Sequence, residues 1–241
     1  YAPMRWNFSQ PLHPTVLISR ISRKTHADNP SIIALMRSVT CLSSASITSS
    51  GLGGWTGSVE GFYDNSSSGF ASQIEAALGS AVAGRAVLSW YDGSADGVGD
   101  AGFLGSEAVV TSKSTPVNIA EITKLTANFQ GNGKPGAVGR LLHPLSSSTT
   151  ASTGTTLDGV AETANGGRGT LHVMSVTGSW GFTISHSSND TAYTALVSFT
   201  KSSSTGAETI EVTGTVKRYL RYSLTNSSAG VVDWVAGFAR Y

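Results

Sequence analysis

The chain has 241 residues, enough for one large domain or two modest ones that each bury a core, and its patterning favours two. Charged residues make up only 13% and hydrophobic residues 39%, with Ser, Thr and Gly filling much of the rest, which suits short strands joined by polar turns and excludes a helical bundle. A formal net charge of +1 supplies no field for nucleic acid or an anionic membrane, and a single cysteine, Cys41, excludes an intrachain disulfide framework or a multi-cysteine metal site.

Residues 1–41 carry five basic groups against Asp28 alone, so this end is basic, while the remaining 200 residues hold eleven basic groups against fourteen acidic ones. Pro3, Pro11, Pro14 and Pro30 interrupt its short apolar runs, which predicts an extended arm or a loosely paired hairpin. A β domain is expected over 42–145. Its strongest signal is the run Gly51 to Asp64 (GLGGWTGSVEGFYD). There Trp55, Val59 and Tyr63 fall on one face of a period-two strand, and Gly57 and Gly61 leave gaps where another backbone or ring can approach. A sheet of this kind calls for a partner. Asn65 to Gly69 is a turn signal, and the stripe Phe70, Ile74, Leu78 predicts a short amphipathic helix over 70–78, capped near Ser68 and ended by Gly79.

Strand periodicity returns in Arg85–Tyr91, Glu107–Ser114 and Glu121–Gln130, the last through Ile122, Leu125, Ala127 and Phe129, with Gly- and Asp-rich loops at Asp92–Asp100 and Gly131–Gly139. Leu145 to Leu157 is nearly all Ser, Thr, Ala and Gly, which places a linker and domain boundary at 146–165. The region 166–241 then reads as six short strands, Thr170–Val176, Trp180–His186, Tyr193–Thr200, Thr209–Thr215, Val216–Leu224 and Val231–Ala239, the pattern of a β-sandwich.

Motifs that would carry chemistry dissolve on inspection. Gly131 to Gly136 (GNGKPG) matches a dinucleotide fingerprint, but Pro135 leads into another extended segment and no helix follows to receive a pyrophosphate. His13, His26, His143, His172 and His186 show no metal-ligand spacing; His172 and His186 could meet across neighbouring strands, the commoner reading being a structural pair. A Ser, His and Asp constellation has no nucleophile elbow to mark it. Asp92, Asp96 and Asp100 lack the dense spacing and closing glutamate of a calcium loop. Lys217 to Tyr222 (KRYLRY) mixes basic and aromatic groups as a single-strand nucleic-acid platform does, yet alternation sends Arg218, Leu220 and Tyr222 to one face and Lys217, Tyr219 and Arg221 to the other. Four acceptor patterns for N-glycosylation, at Asn7, Asn65, Asn189 and Asn226, are expected by chance in so Ser- and Thr-rich a chain. Catalytic, cofactor-binding and metal-binding residues are therefore expected to be none, and the chain is not expected to be an enzyme.

The order of segments resembles the major tail tube proteins of long-tailed bacteriophages. The resemblance runs through Gly51 to Asp64, the helix over 70–78, Ala108 to Ser112 (AVVTS) and Leu125 to Gly131 (LTANFQG). The stretches Gly166 to Val173, Ile184 to Ser188, Leu196 to Thr200, Ala207 to Arg221 and Val235 to Arg240 are similar to the extra C-terminal β-domain some of those proteins carry. It covers about residues 42 to 241, and residues 1–41 depart from it, since the family usually begins with strands that enter the tube barrel. The resemblance implies a mainly β fold: a tail-tube-like β-sandwich or barrel with one short flanking α-helix, followed by a second all-β sandwich. It also implies rings, hexameric in that family, stacked into a tube that conducts the genome to the host. The partners implied are further copies of the chain, other tail proteins such as the tape measure, and DNA passing without sequence-specific binding, with no membrane. The place implied is the virion tail, after assembly in the bacterial cytoplasm. Two other readings stand beside it: a head decoration or tail-junction protein, and a carbohydrate-binding module in which Trp55, Trp90, Trp180 and Trp234 stack on sugar rings.

Overall fold

The computed structural model describes residues 5–7, 15–20, 44–50, 54–62, 71, 74, 85–91, 97–104, 107–115, 123–131, 137–226 and 228–241. The fold is mainly β, and the strand pairings among the described residues are antiparallel. Two compact units divide the chain: residues 1–94 with 105–136, and residues 95–104 with 137–241.

In the first unit, β1 (Arg5–Asn7), β3 (Ser44–Ser50), β4 (Gly54–Phe62), β8 (Lys124–Gly131), β7 (Glu107–Ser114) and β5 (Arg85–Tyr91) follow one another in a sheet, and β2 (Thr15–Arg20) also pairs with β5. The N-terminal segment thus supplies two strands that pair with distant parts of the chain, β1 on β3 and β2 on β5, rather than with each other. Their partners lie far along the sequence, which local patterning cannot reveal. On β8 the predicted alternation holds: Leu125, Ala127 and Phe129 are buried while Lys124, Asn128 and Gln130 are exposed. Gly57 sits directly opposite Phe129, so its missing side chain leaves room on the face that carries that ring.

The partner expected for the Gly51 to Asp64 segment is within the chain. β4 is bonded on one edge to β3 and on the other to β8, so it is a central strand with no free edge. Of the expected helix, Ala71 and Ile74 are helical and buried, which agrees with Ile74 lying at the centre of the predicted stripe. Phe70 and Leu78 lie outside the described residues, as do Tyr63, Ile122 and Asp92.

The second unit is a sandwich. One layer runs β6 (Ala101–Leu104), β9 (Ala137–Ser148), β17 (Val232–Arg240), β12 (Gly167–Val176), β15 (Gly206–Val212). In the other, β10 (Ser152–Thr153) and β11 (Leu157–Asp158) both pair with β16 (Tyr219–Asn226), followed by β13 (Trp180–Ser187) and β14 (Thr194–Ser198). Between the layers, Leu142, Leu171, Val173, Trp234 and Phe238 meet Trp180, Phe182, Ile184, Val197, Leu220 and Leu224. Each such side chain contributes about 1.5–3 kcal/mol on leaving water. All six strands predicted for 166–241 are present within a few residues of their predicted ends.

The segment read as a linker, 146–165, is instead part of this sandwich. β9 extends through Ser148, β10 and β11 cover the edge of β16, and Thr163 forms a bridge to Val216. Low apolar content argued for an unfixed segment; its backbone groups fix it. Gly154, Gly159 and Thr163 each donate an N–H to a carbonyl of the 216–222 stretch at 3.0 Å, and paired backbone groups order a polar segment without a large apolar area.

Candidate functional site

The second unit holds three side-chain clusters, of which the first two include residues that the sequence singled out. The first lies between the layers, around His143 of β9. Its imidazole stacks on Trp234 with centroids 3.8 Å apart and meets Tyr222 edge-on at 4.8 Å, while Tyr222 and Phe182 also contact Trp234. Nδ1 lies 3.3 Å from the Trp234 carbonyl, which can only accept, so Nδ1 carries the proton and the bare Nε2 accepts from Ser146 Oγ at 3.3 Å. Burial holds the imidazole neutral, with its pKa pushed down to about 4. Gly154 permits this packing, because the Tyr222 ring occupies the space a Cβ would need.

A serine hydroxyl beside an imidazole is half of an acyl-transfer dyad. Here the ring is oriented by a neutral carbonyl instead of a carboxylate, and an imidazole whose conjugate acid has a pKa of about 4 is a weak base. The arrangement serves packing. Trp180 and Trp234, candidates for stacking on sugars, are 2% and 1% exposed and belong to the core. Their indole N–H groups are satisfied by the Thr177 carbonyl at 2.8 Å and Ser148 Oγ at 3.0 Å. The side chains of Trp55 and Trp90 lie outside the described residues.

The second cluster lies on β16 and the turns beside it. Leu220 and Leu224 face the core, while Arg221 turns outward over the Tyr193 ring at 3.7 Å and Arg218 stands 4.9 Å from the Tyr219 ring. The predicted alternation holds within β16, where Leu220 is buried and Arg221 faces out, but Arg218 precedes the strand and is exposed on Asp158 instead of joining the Leu220 face. Tyr193 donates its hydroxyl to Asp190, and Arg218 grips Asp158 through Nε at 2.7 Å and Nη2 at 2.6 Å. That bidentate contact holds the Asp158 carboxyl down at about 2.

The third cluster is a clasp at the end of β17. The Arg240 guanidinium donates to the carbonyls of Val216, Lys217, Arg218 and Ala161 at 2.9, 2.6, 2.7 and 3.4 Å. Tyr241 N–H donates to the Gly166 carbonyl at 3.1 Å and its hydroxyl to Glu211 at 2.8 Å, the carboxylate that Arg168 also holds at 2.6 Å. Sequence reading missed this clasp, because a guanidinium that binds backbone carbonyls has no partner residue type to betray it.

The remaining candidates stay apart. His172 lies on β12, fully buried, with its pKa pushed down to about 3 by burial, whereas His186 lies on β13 in the other layer and accepts the Lys217 N–H at 3.2 Å. They are not on neighbouring strands. Asp100 caps the Gly97 N–H at 3.2 Å, and among the described residues no group of three His, Cys, Asp or Glu is placed to hold a metal. Asn189 Oδ1 accepts from Ser187 Oγ and the N–H groups of Thr191 and Ala192, so this glycosylation pattern is an Asx turn. In the fingerprint run Gly131 to Gly136, Gly131 closes β8, and the rest lies outside the described residues. Among the described residues no helix is long and apolar enough to cross a membrane.

No protein family and no curated protein matches the chain. Among solved structures, the chain aligns with the Dit (gp 19.1) protein of SPP1, described as a paradigm of the hub adsorption apparatus in phages that infect Gram-positive bacteria. The identity is 10%, covering 98% of this chain and 92% of that one, with a TM-score of 0.25. A likeness of that size fixes neither fold nor role.

Proposed function

We propose that this chain is a structural component of a bacteriophage tail and, more finely, the subunit whose stacked rings form the tail tube. One observation carries the reading. The separated segments that resemble tail tube proteins, Gly51 to Asp64, Ala108 to Ser112 and Leu125 to Gly131, contribute β4, β7 and β8, three adjacent strands of one sheet with β8 in the middle. Side by side, the three segments form the centre of one sheet, as the wall of a tube subunit requires.

In this reading the ring closes by a heterologous contact between identical copies. The second unit lies on the outer surface, and the acidic excess outside residues 1–41 keeps the lumen from adhering to DNA. The partners are further copies, the tape measure and the other tail proteins, and the place is the virion tail. Light scattering on the purified chain tests ring formation: the expected ring mass is near six times 24.9 kDa. A single species at one chain mass across all accessible concentrations would refute it.

A further inference from the structure

The second unit holds five arginines, and four of them have acceptors for their guanidinium groups. Arg168 donates Nε to Glu211 at 2.6 Å, Arg218 grips Asp158 side-on, Arg240 holds four carbonyls, and Arg140 donates Nη1 to the Gly99 carbonyl at 3.0 Å. Arg221 is the exception. Among the described residues its guanidinium meets no hydrogen-bond acceptor, and its Nε is fully buried without a partner. A buried charged donor left unpaired is costly, so this one calls for an explanation outside the unit's own hydrogen bonds.

The surroundings of Arg221 form a strap over the outer face of its sheet. β16 lies between β13 on one side and β10 with β11 on the other, and Arg221 stands directly opposite Ser185 of β13. From the β13 side comes the turn between β13 and β14, which carries Asp190 and Tyr193. From the other side comes Thr156, in the gap between β10 and β11. Tyr193 and Thr156 both donate their hydroxyls to Asp190 Oδ1, the latter at 2.8 Å, and the two hydroxyls lie 2.9 Å apart. The two sides therefore meet above β16, with the Tyr193 ring centroid 3.7 Å from Arg221 Cζ. The ring covers one face of the guanidinium and leaves its edge to a ligand. Asp190 lies close by but spends Oδ1 on the two hydroxyls, and Ser185, 9% exposed on the same face as Arg221, adds a nearly buried hydroxyl.

We propose that Arg221 binds an oxyanion, a carboxylate or a phosphate group, edge-on beneath the strap of Thr156, Asp190 and Tyr193. A guanidinium presents parallel N–H donors that match two oxygens of such a group, as Arg218 matches Asp158 through Nε and Nη2. Because Nε is buried as the strap stands, the anion enters as the strap lifts, and the free energy of opening is subtracted from the affinity. The site does not depend on the tube reading.

Isothermal titration calorimetry on the full chain tests it, with sodium acetate and sodium phosphate as probes and sodium chloride at equal ionic strength as the control, since a monatomic anion offers no second oxygen to the fork. Saturable heat is expected with acetate, phosphate or both, and none with chloride. Acetate alone assigns a carboxylate ligand, and phosphate alone a phosphate. Arg221→Lys keeps the charge but loses the planar fork, and is expected to weaken binding at least about tenfold. Thr156→Val removes the hydroxyl that latches the strap and leaves Arg221 in place, so it is expected to tighten binding about threefold. A wild-type chain that gives no saturable heat overturns the site, and so does Arg221→Lys binding as tightly as wild type. An unchanged or weaker affinity in Thr156→Val overturns the strap as the cover of the site, and that variant decides the matter where Arg221→Lys fails to fold.

Discussion

Acidification from pH 6.5 to 5 should destabilise the second unit sharply, through His143 and His172. Both are buried as neutral imidazoles, with pKa values pushed down to about 4 and about 3 from an ordinary 6.5. A base depressed in the folded state is protonated only on unfolding, so its stabilising effect is complete above the unfolded value and falls away as pH drops towards the folded one. Each group costs up to about 1.4 kcal/mol per pH unit once pH is well below 6.5, and the two together about 3 kcal/mol by pH 5. Carboxylates hardly enter, because their titration lies mostly below this window. Guanidinium denaturation followed by near-ultraviolet circular dichroism, which reads the Trp180 and Trp234 core, measures the change. The variant His143→Phe keeps the stack on Trp234 and removes one titrating group, so its slope should be clearly shallower, with His172 and His186, both also lowered by burial, carrying the remainder. A change under about 1 kcal/mol between pH 6.5 and 5, or a gain in stability on acidification, would refute the assignment of buried neutral imidazoles.

Replacing Arg240 by Met keeps the aliphatic stem but frees four carbonyls, and should cost about 3 kcal/mol in denaturant unfolding. Hydrogen exchange should show the 158–166 segment losing protection first. Gly154→Ala should displace the Tyr222 ring from His143 and Trp234 at a cost of about 1–3 kcal/mol, seen as a loss of near-ultraviolet signal. By contrast, Arg218→Met breaks a bidentate but solvent-exposed pair, side chains 44% and 46% exposed, and should leave the denaturation midpoint unchanged. If the tube forms as proposed, its lumen should carry more Asp and Glu than Lys and Arg; a reconstruction with a basic lumen would contradict the electrostatic part of the proposal.

Much of the fold could be read from period and punctuation. The alternation at Leu125, Ala127 and Phe129 gave the buried face of β8, and turn residues bounded each of the six strands of 166–241. What escaped was long-range. Nothing local tells that β1 seeks β3, that β2 seeks β5, or that residues 95–104 return to the second unit. The 146–165 stretch misled because composition measures side-chain burial, whereas this segment is ordered by backbone donors and by Arg240. A consequence follows for dissection: a chain cut at 158 would leave β9 without β17, so the second unit cannot be removed cleanly there. The left-handed Val160, with φ +67°, was also hidden, since it follows from the turn that Asp158 Oδ1 holds through the Val160 N–H and not from valine's own propensity.

The central claim is that identical copies close into rings and stack. Electron microscopy of the purified chain tests it most directly. Uniform tubes of stacked rings with sixfold symmetry are the expected result; a field of single particles of one chain's size at high concentration would contradict the account.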